Sequence, residues 1–198
     1  MRDTEPVEIF GALVVLLFLL AIPLLVILVI VGIVQFNKLR RLDVQCDGAL
    51  GDIDTLLTKR ADLVPNLVET VKGSRDFEAS TMQAVTQARA RTETARSLNE
   101  KSAADGALTG ALTRFFAVAE AYPQLTATAG FQQLQGQLAD VEGQLQFARQ
   151  YYNDSVVKLN TAVTTIPSMW FTGVAKVGKR EFYEEPDEGR RSAPTVQF

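Results

Sequence analysis

No charged residue interrupts the chain from Ile9 to Val34, IFGALVVLLFLLAIPLLVILVIVGIV. About 20 consecutive apolar residues cross a bilayer as one helix, so this run is long enough, with tilt to spare. Pro23 near its middle is tolerated in a membrane helix and predicts at most a kink. The run fits a cleaved signal sequence poorly. It is too long, Asp3, Glu5 and Glu8 precede it, and no small-x-small site follows. Cys46 lacks small residues before it, which argues against a lipoprotein. Lys38, Arg40 and Arg41 follow the run, whereas Arg2 alone precedes it. Positive residues stay inside, so the body is expected in the cytoplasm and residues 1–8 outside, as in a single-pass membrane protein.

What remains of the 198 residues has room for one domain. The sequence holds no histidine. That excludes a Ser-His-Asp triad, a His-ligated zinc or haem and the Glu-x-x-His di-iron site of helix bundles. Cys46 is alone, so neither an internal disulfide nor a Cys-rich metal site is available, and no cofactor is expected. A net charge of −3 gives no reason to expect nucleic acid.

Helical periodicity organises the body. Leu39, Leu42, Cys46, Ala49, Ile53, Leu56, Leu63 and Leu67 step by threes and fours, the seam of a bundle helix. Arg60 takes the one slot where an apolar residue is due. Pro65 predicts a kink or short break, and Gly73 a stop. A second helix is expected from about Asp76 to Leu98, with Ala84, Ala88 and Ala95 inward. The polar stretch NEKSAADG then reads as a connection. A third helix covers about Ala107 to Ala121, with Leu108, Leu112, Phe115, Phe116 and Ala119 inward, and Pro123 ends it. The fourth is the most regular: Phe131, Leu134, Leu138, Val141, Leu145, Ala148, Tyr152, Ser155, Leu159, Ala162 and Ile166 hold one face until Pro167. At 1.5 Å per residue it is about 55 Å long, matching the first. The expected fold is all-α: a transmembrane helix over 9–34, then an antiparallel up-down four-helix bundle over 37–166 with long first and fourth helices. Residues 167–198 form a membrane-proximal tail and a flexible extension beyond Glu184.

Several stretches together resemble the LemA family: RADLVPNLVETVKG (Arg60 to Gly73), AVTQARA (Ala84 to Ala90), AEAYPQL (Ala119 to Leu125), FQQLQGQLADVEGQLQFARQYYNDSVVKLN (Phe131 to Asn160) and the tail IPSMWFTGVAKVGKREFYEE. The resemblance covers about residues 36 to 185. It implies one N-terminal membrane helix and a helical-bundle body, and it implies no accepted enzyme activity.

The stretch FARQYYNDSVVKLN sets Arg149, Tyr151, Tyr152, Asn153 and Asp154 side by side on the fourth helix. With the first and fourth helices antiparallel, Arg60 falls level with Glu142, and Arg149 with Ile53 between Asp52 and Asp54. Arg60, Glu142, Arg149, Asp52, Asp54 and Asn153 then form a structural polar layer that sets register at little net gain in stability. A catalytic role is not expected, since Asp154 and Ser155 point about 100° apart on one helix. Nor is there a calcium loop among the carboxylates. Gly136 and Gly143 share the outer face of the fourth helix, where glycine costs roughly 1 kcal/mol against alanine. Close approach of another chain would offset that cost and make this a self-association face; simple tolerance of glycine on a solvated face is the alternative.

Four helices return the chain to the membrane. Trp170 and Phe171 then either enter the interface, with Lys176, Lys179 and Arg180 on anionic headgroups, or cap the bundle end. The expected function is a non-enzymatic membrane scaffold or interaction module. Its partners are the lipid bilayer, further copies of itself and an unidentified membrane protein. The alternative is a membrane-surface remodelling or sensing element acting through the tail.

Overall fold

The computed structural model describes residues 5–73 and 77–184; the start expected at Asp76, the segment ahead of Glu5 and the extension beyond Glu184 lie outside them. Within the described residues all regular structure is helical: α1 (Glu5–Lys72), α2 (Ala79–Thr94), α3 (Leu98–Ala119), α4 (Pro123–Thr126) and α5 (Ala129–Thr164), a 3-10 turn (Ser168–Phe171) and α6 (Thr172–Ala175). The chain divides into two compact units, Met1–Val44 with Lys158–Lys179, and Gln45–Val157 with Arg180–Phe198.

In the first unit, α1 carries the apolar run and is long and apolar enough to cross a membrane. The described side chains of that run are exposed, Leu20 by 65 % and Ile30 by 54 %, a larger continuous apolar surface than water-soluble chains ordinarily present. Leu39, Leu159, Ala162 and Ala175 are buried. α5 stops at Thr164, so Ile166 lies past the helix and is exposed rather than held in the seam.

In the second unit the α1 seam runs through Cys46, Ala49, Ile53, Leu57, Ala61, Val64, Leu67 and Val71. It leaves the expected Leu56 and Leu63 half-buried, because a straight helix turns past a strict heptad repeat. The break expected at Pro65 is absent, and α1 runs through it to Lys72. Proline supplies no N–H to the carbonyl four residues back, that of Ala61. Arg89 Nε of α2 donates to that carbonyl at 3.1 Å. Arg89→Ala is therefore expected to cost about 1–3 kcal/mol by leaving a buried acceptor unpaired. In a Pro65→Ala background, where the helix supplies its own donor, that cost should shrink toward zero. Thermal unfolding of the four variants measures this, and an equal cost in both backgrounds would dissolve the link.

The connection expected at NEKSAADG is instead the opening of α3. Ser97 and Glu100 form a capping box: Glu100 N donates to Ser97 Oγ at 3.2 Å, and Ser97 N to the Glu100 carboxylate at 3.0 Å. This reciprocal pairing satisfies orphan donors and starts the helix there. Accepting the backbone N–H groups of Ser97 and Arg96 holds the Glu100 carboxyl below its usual range. α2 correspondingly ends early, with Ala95 extended. Its buried face is Thr81, Val85 and Ala88. Pro123 does not end α3, which stops at Ala119, but opens α4. There its missing N–H is no loss.

The core gathers Val64, Leu67 and Val71 of α1, Val85 of α2, Leu108, Leu112 and Phe115 of α3, and Phe131 and Leu138 of α5. Phe77, Phe115, Phe116 and Phe131 follow one another at ring separations of 5.0 to 5.9 Å, in tilted or edge-on geometry. Such pairs add about 0.5–1.5 kcal/mol each beyond area burial.

Candidate functional site

Arg60 enters the apolar interior because it occupies a seam position of α1, and only 3 % of it remains exposed. A guanidinium there requires carboxylates. Its Nη1 donates to Asp105 Oδ1 of α3 and to Thr109 Oγ1, both at 3.0 Å. Its Nη2 lies 2.8 Å from Glu142 Oε2 of α5. Arg149, also of α5, places Nη2 at 2.6 Å from Asp105 Oδ2 and Nη1 at 3.3 Å from Glu142 Oε1. Tyr183 closes the cluster, donating its hydroxyl to Asp105 Oδ2 at 3.0 Å. The Arg149 guanidinium lies 6.0 Å from the centre of its ring.

The cluster balances two cations against two anions. Burial pushes the Asp105 carboxyl up, against the pull of Arg149 and Arg60. Burial lowers the Arg60 guanidinium. Burial also works to lower Arg149, but Asp105 and Glu142 outweigh it and its net direction is up. Both arginines stay charged at neutral pH, because an arginine starts above 12 and each has a carboxylate in contact. Asp105 accepts from three donors on three segments, so its oxygens are committed. Chemically, the arrangement joins α1, α3, α5 and the tail.

Among the described residues, the tail beyond α6 has no regular structure and is held as a strap. Arg180 Nη1 meets Asp47 Oδ1 at 2.6 Å. Tyr152 Oη donates to the Glu181 carbonyl at 3.0 Å. Asn153 grips Tyr183 twice: its Nδ2 donates to the Tyr183 carbonyl at 3.1 Å, and its Oδ1 accepts the Tyr183 N–H at 2.8 Å. Ser102 Oγ donates to the Glu184 carbonyl. A strap without a partner strand thus finds its backbone partners in side chains.

Among the remaining residues expected in the polar layer, Arg149 meets Asp105 and Glu142 rather than Asp52 and Asp54. Asp54 pairs with Lys101 at 2.7 Å, and Asp52 is exposed. The reason lies in α3: its first turns bring a buried carboxylate to Arg149 that a connecting loop would not. Asn153 holds the strap. Gly136 is exposed and Gly143 half-buried, and a Cβ on either would meet open space. Arg180 is tied to Asp47 rather than left for lipid headgroups. Trp170 is 67 % exposed, Phe171 is half-buried, and Lys176 and Lys179 are exposed.

Sequence reasoning missed Asp105, Tyr183 and Ser102. Ser97-x-x-Glu100 was the available signal for Asp105. Extending α3 back to it places Asp105 three residues before Leu108 on the buried stripe. Tyr183 carries no such signal, since the strap has no period.

The LemA family model matches residues 49–198. The chain belongs to the LemA family. The match starts within α1 and takes in Arg60, Asp105, Glu142, Arg149 and Tyr183, so the whole charge cluster lies in the LemA region. No curated protein matches this LemA chain.

Proposed function

We propose that this LemA chain is a non-enzymatic scaffold of the bacterial inner membrane: one helix spans the bilayer, and a cytoplasmic, antiparallel up-down four-helix bundle self-associates and receives a membrane-protein partner. The observation that supports the non-catalytic part is the engagement of both Asp105 carboxylate oxygens by Arg60, Arg149 and Tyr183. Catalysis requires a group with an uncommitted proton or lone pair facing a substrate.

Pair senses support the bundle. Gln45–Ser155 and Arg60–Glu142 run in opposite directions along α1 and α5. Asp54–Lys101 and Arg60–Asp105 run in the same direction along α1 and α3. An up-down-up-down order requires both. Lys38, Arg40 and Arg41 support the cytoplasmic side. Open space at Gly136 and Gly143, with Phe147 one turn on and 78 % exposed, supports the self-association face.

One tagged full-length chain in a bacterial host tests the reading. Its C-terminal tag should resist protease added to spheroplasts. After detergent extraction, light scattering should find an oligomer that Gly136→Leu with Gly143→Leu reduces to a monomer. A digested tag overturns the sidedness, and an unchanged mass overturns the glycine interface.

A further inference from the structure

The segment between α5 and the strap belongs to the unit that carries the apolar run, and its docking there is specific. The Phe171 ring carbon Cε1 lies 3.2 Å from where a Cβ on Gly32 would stand. Any larger residue at Gly32 would press on that ring. Ser168 Oγ donates to Gln35 Oε1 at 2.7 Å. These two contacts pin the segment beside the end of the run, where Gly32 and Val34 give way to Gln35, Asn37 and Lys38. That is the level at which a spanning helix leaves the hydrocarbon.

The side chains not used in docking are large and apolar. Ile166 is 67 % exposed, Met169 42 %, Trp170 67 % and Val174 73 %. They adjoin a helix whose own side chains are exposed at the same level, Ile33 and Val34 at 56 % each. Isolated exposed apolar residues are ordinary, but a patch continuous with a bilayer-length apolar surface shares its solvent. Tryptophan, with an apolar body and one N–H donor, favours the headgroup level. Lys176 and Lys179 follow at once and are exposed. They are free to reach anionic headgroups over stems that lie on apolar surface.

We propose that Ile166–Val174 is a lipid-facing element seated in the headgroup–acyl boundary, with Ile166, Met169, Trp170 and Val174 inserted and Lys176 and Lys179 on anionic headgroups. It rests on the reading that α1 spans the bilayer. The bilayer covers this surface, and the cap on the bundle end is the competing arrangement.

Trp170 is the chain's only tryptophan, so its fluorescence reports this site alone. The full chain is reconstituted into phosphatidylglycerol-containing vesicles made with phospholipids brominated either at shallow acyl carbons or near the bilayer centre. The expected result is blue-shifted emission, most of it lost to the shallow bromines, less to the deep ones and little to aqueous iodide. Ile166→Asp with Val174→Asp should restore iodide access. Carbonate washing of the same vesicles separates the two readings. A chain that stays bound while Trp170 ignores both bromines overturns the lipid-facing element and leaves the span intact. Stronger quenching by the deep bromines likewise overturns the boundary placement. A chain released by carbonate overturns the span, and this inference with it.

Discussion

Replacing Asp105 with alanine is expected to cost about 3–5 kcal/mol, because it strands two buried guanidiniums. For a chain of this size that lowers the unfolding midpoint by roughly 6–20 °C, at about 2–4 °C per kcal/mol. Helical circular dichroism of the full chain in detergent reads it. The cost is a penalty for breaking the cluster rather than a measure of its net worth. Desolvating Arg60, Asp105 and Arg149 opposes their mutual attraction, and the two nearly cancel. Asp105→Leu combined with Arg60→Met and Arg149→Met, with Tyr183→Phe to remove the hydroxyl that Asp105 accepts, should therefore recover much of the loss, since the Glu142 side chain is 37 % exposed. A single Asp105→Ala within about 0.5 kcal/mol of the parent, the scatter of ordinary surface substitutions, would show that the cluster holds nothing together.

Tyr183→Ala is expected to cost a similar amount, about 3–5 kcal/mol for deleting a buried aromatic ring. It should also release the strap, so that trypsin cuts at Lys179 and Arg180 far faster than in the parent. Unchanged cleavage would mean that Asn153, Tyr152 and Ser102 hold the strap without the ring. Tyr183→Phe keeps the ring and isolates the hydroxyl. Burial first, and then the negative charge and hydrogen bond of Asp105, push that hydroxyl well above its ordinary 10.0. The folded chain therefore keeps a proton that the unfolded chain releases. The hydroxyl's contribution is complete below pH 10.0 and is lost as pH rises beyond it. Between pH 10 and about 11.5 the parent's midpoint should fall more steeply than that of Tyr183→Phe. Parallel slopes would remove the Tyr183–Asp105 bond from the account.

Much of the scaffold was legible because helical burial is periodic and local. The run from Ile9 to Val34, the step pattern of α5, the stop before Gly73 and the misplaced charge at Arg60 all follow from which residues recur every three or four positions. The boundary between α2 and α3 was legible too, through Ser97 and Glu100, but the polar composition of NEKSAADG outweighed that signal in the reading. Pro65, where a kink or short break is expected, brings no break for a different reason. Its local rule is sound, and the donor that relieves it, Arg89, sits on another helix.

By itself, the sequence determined that this chain is helical, that one segment is long and apolar enough to cross a membrane, and that a charge sits on a buried seam. A period tells which side of a helix is buried and is silent about which neighbour lies against it. Only the tertiary structure decided that Arg149 meets Asp105 rather than Asp52 or Asp54, that Asn153 grips a strap, and that Tyr183 completes the cluster. Those bonds join residues 30 to 78 positions apart through single side chains. Their partners are selected by the azimuth at which each helix is docked, a quantity that no local pattern carries.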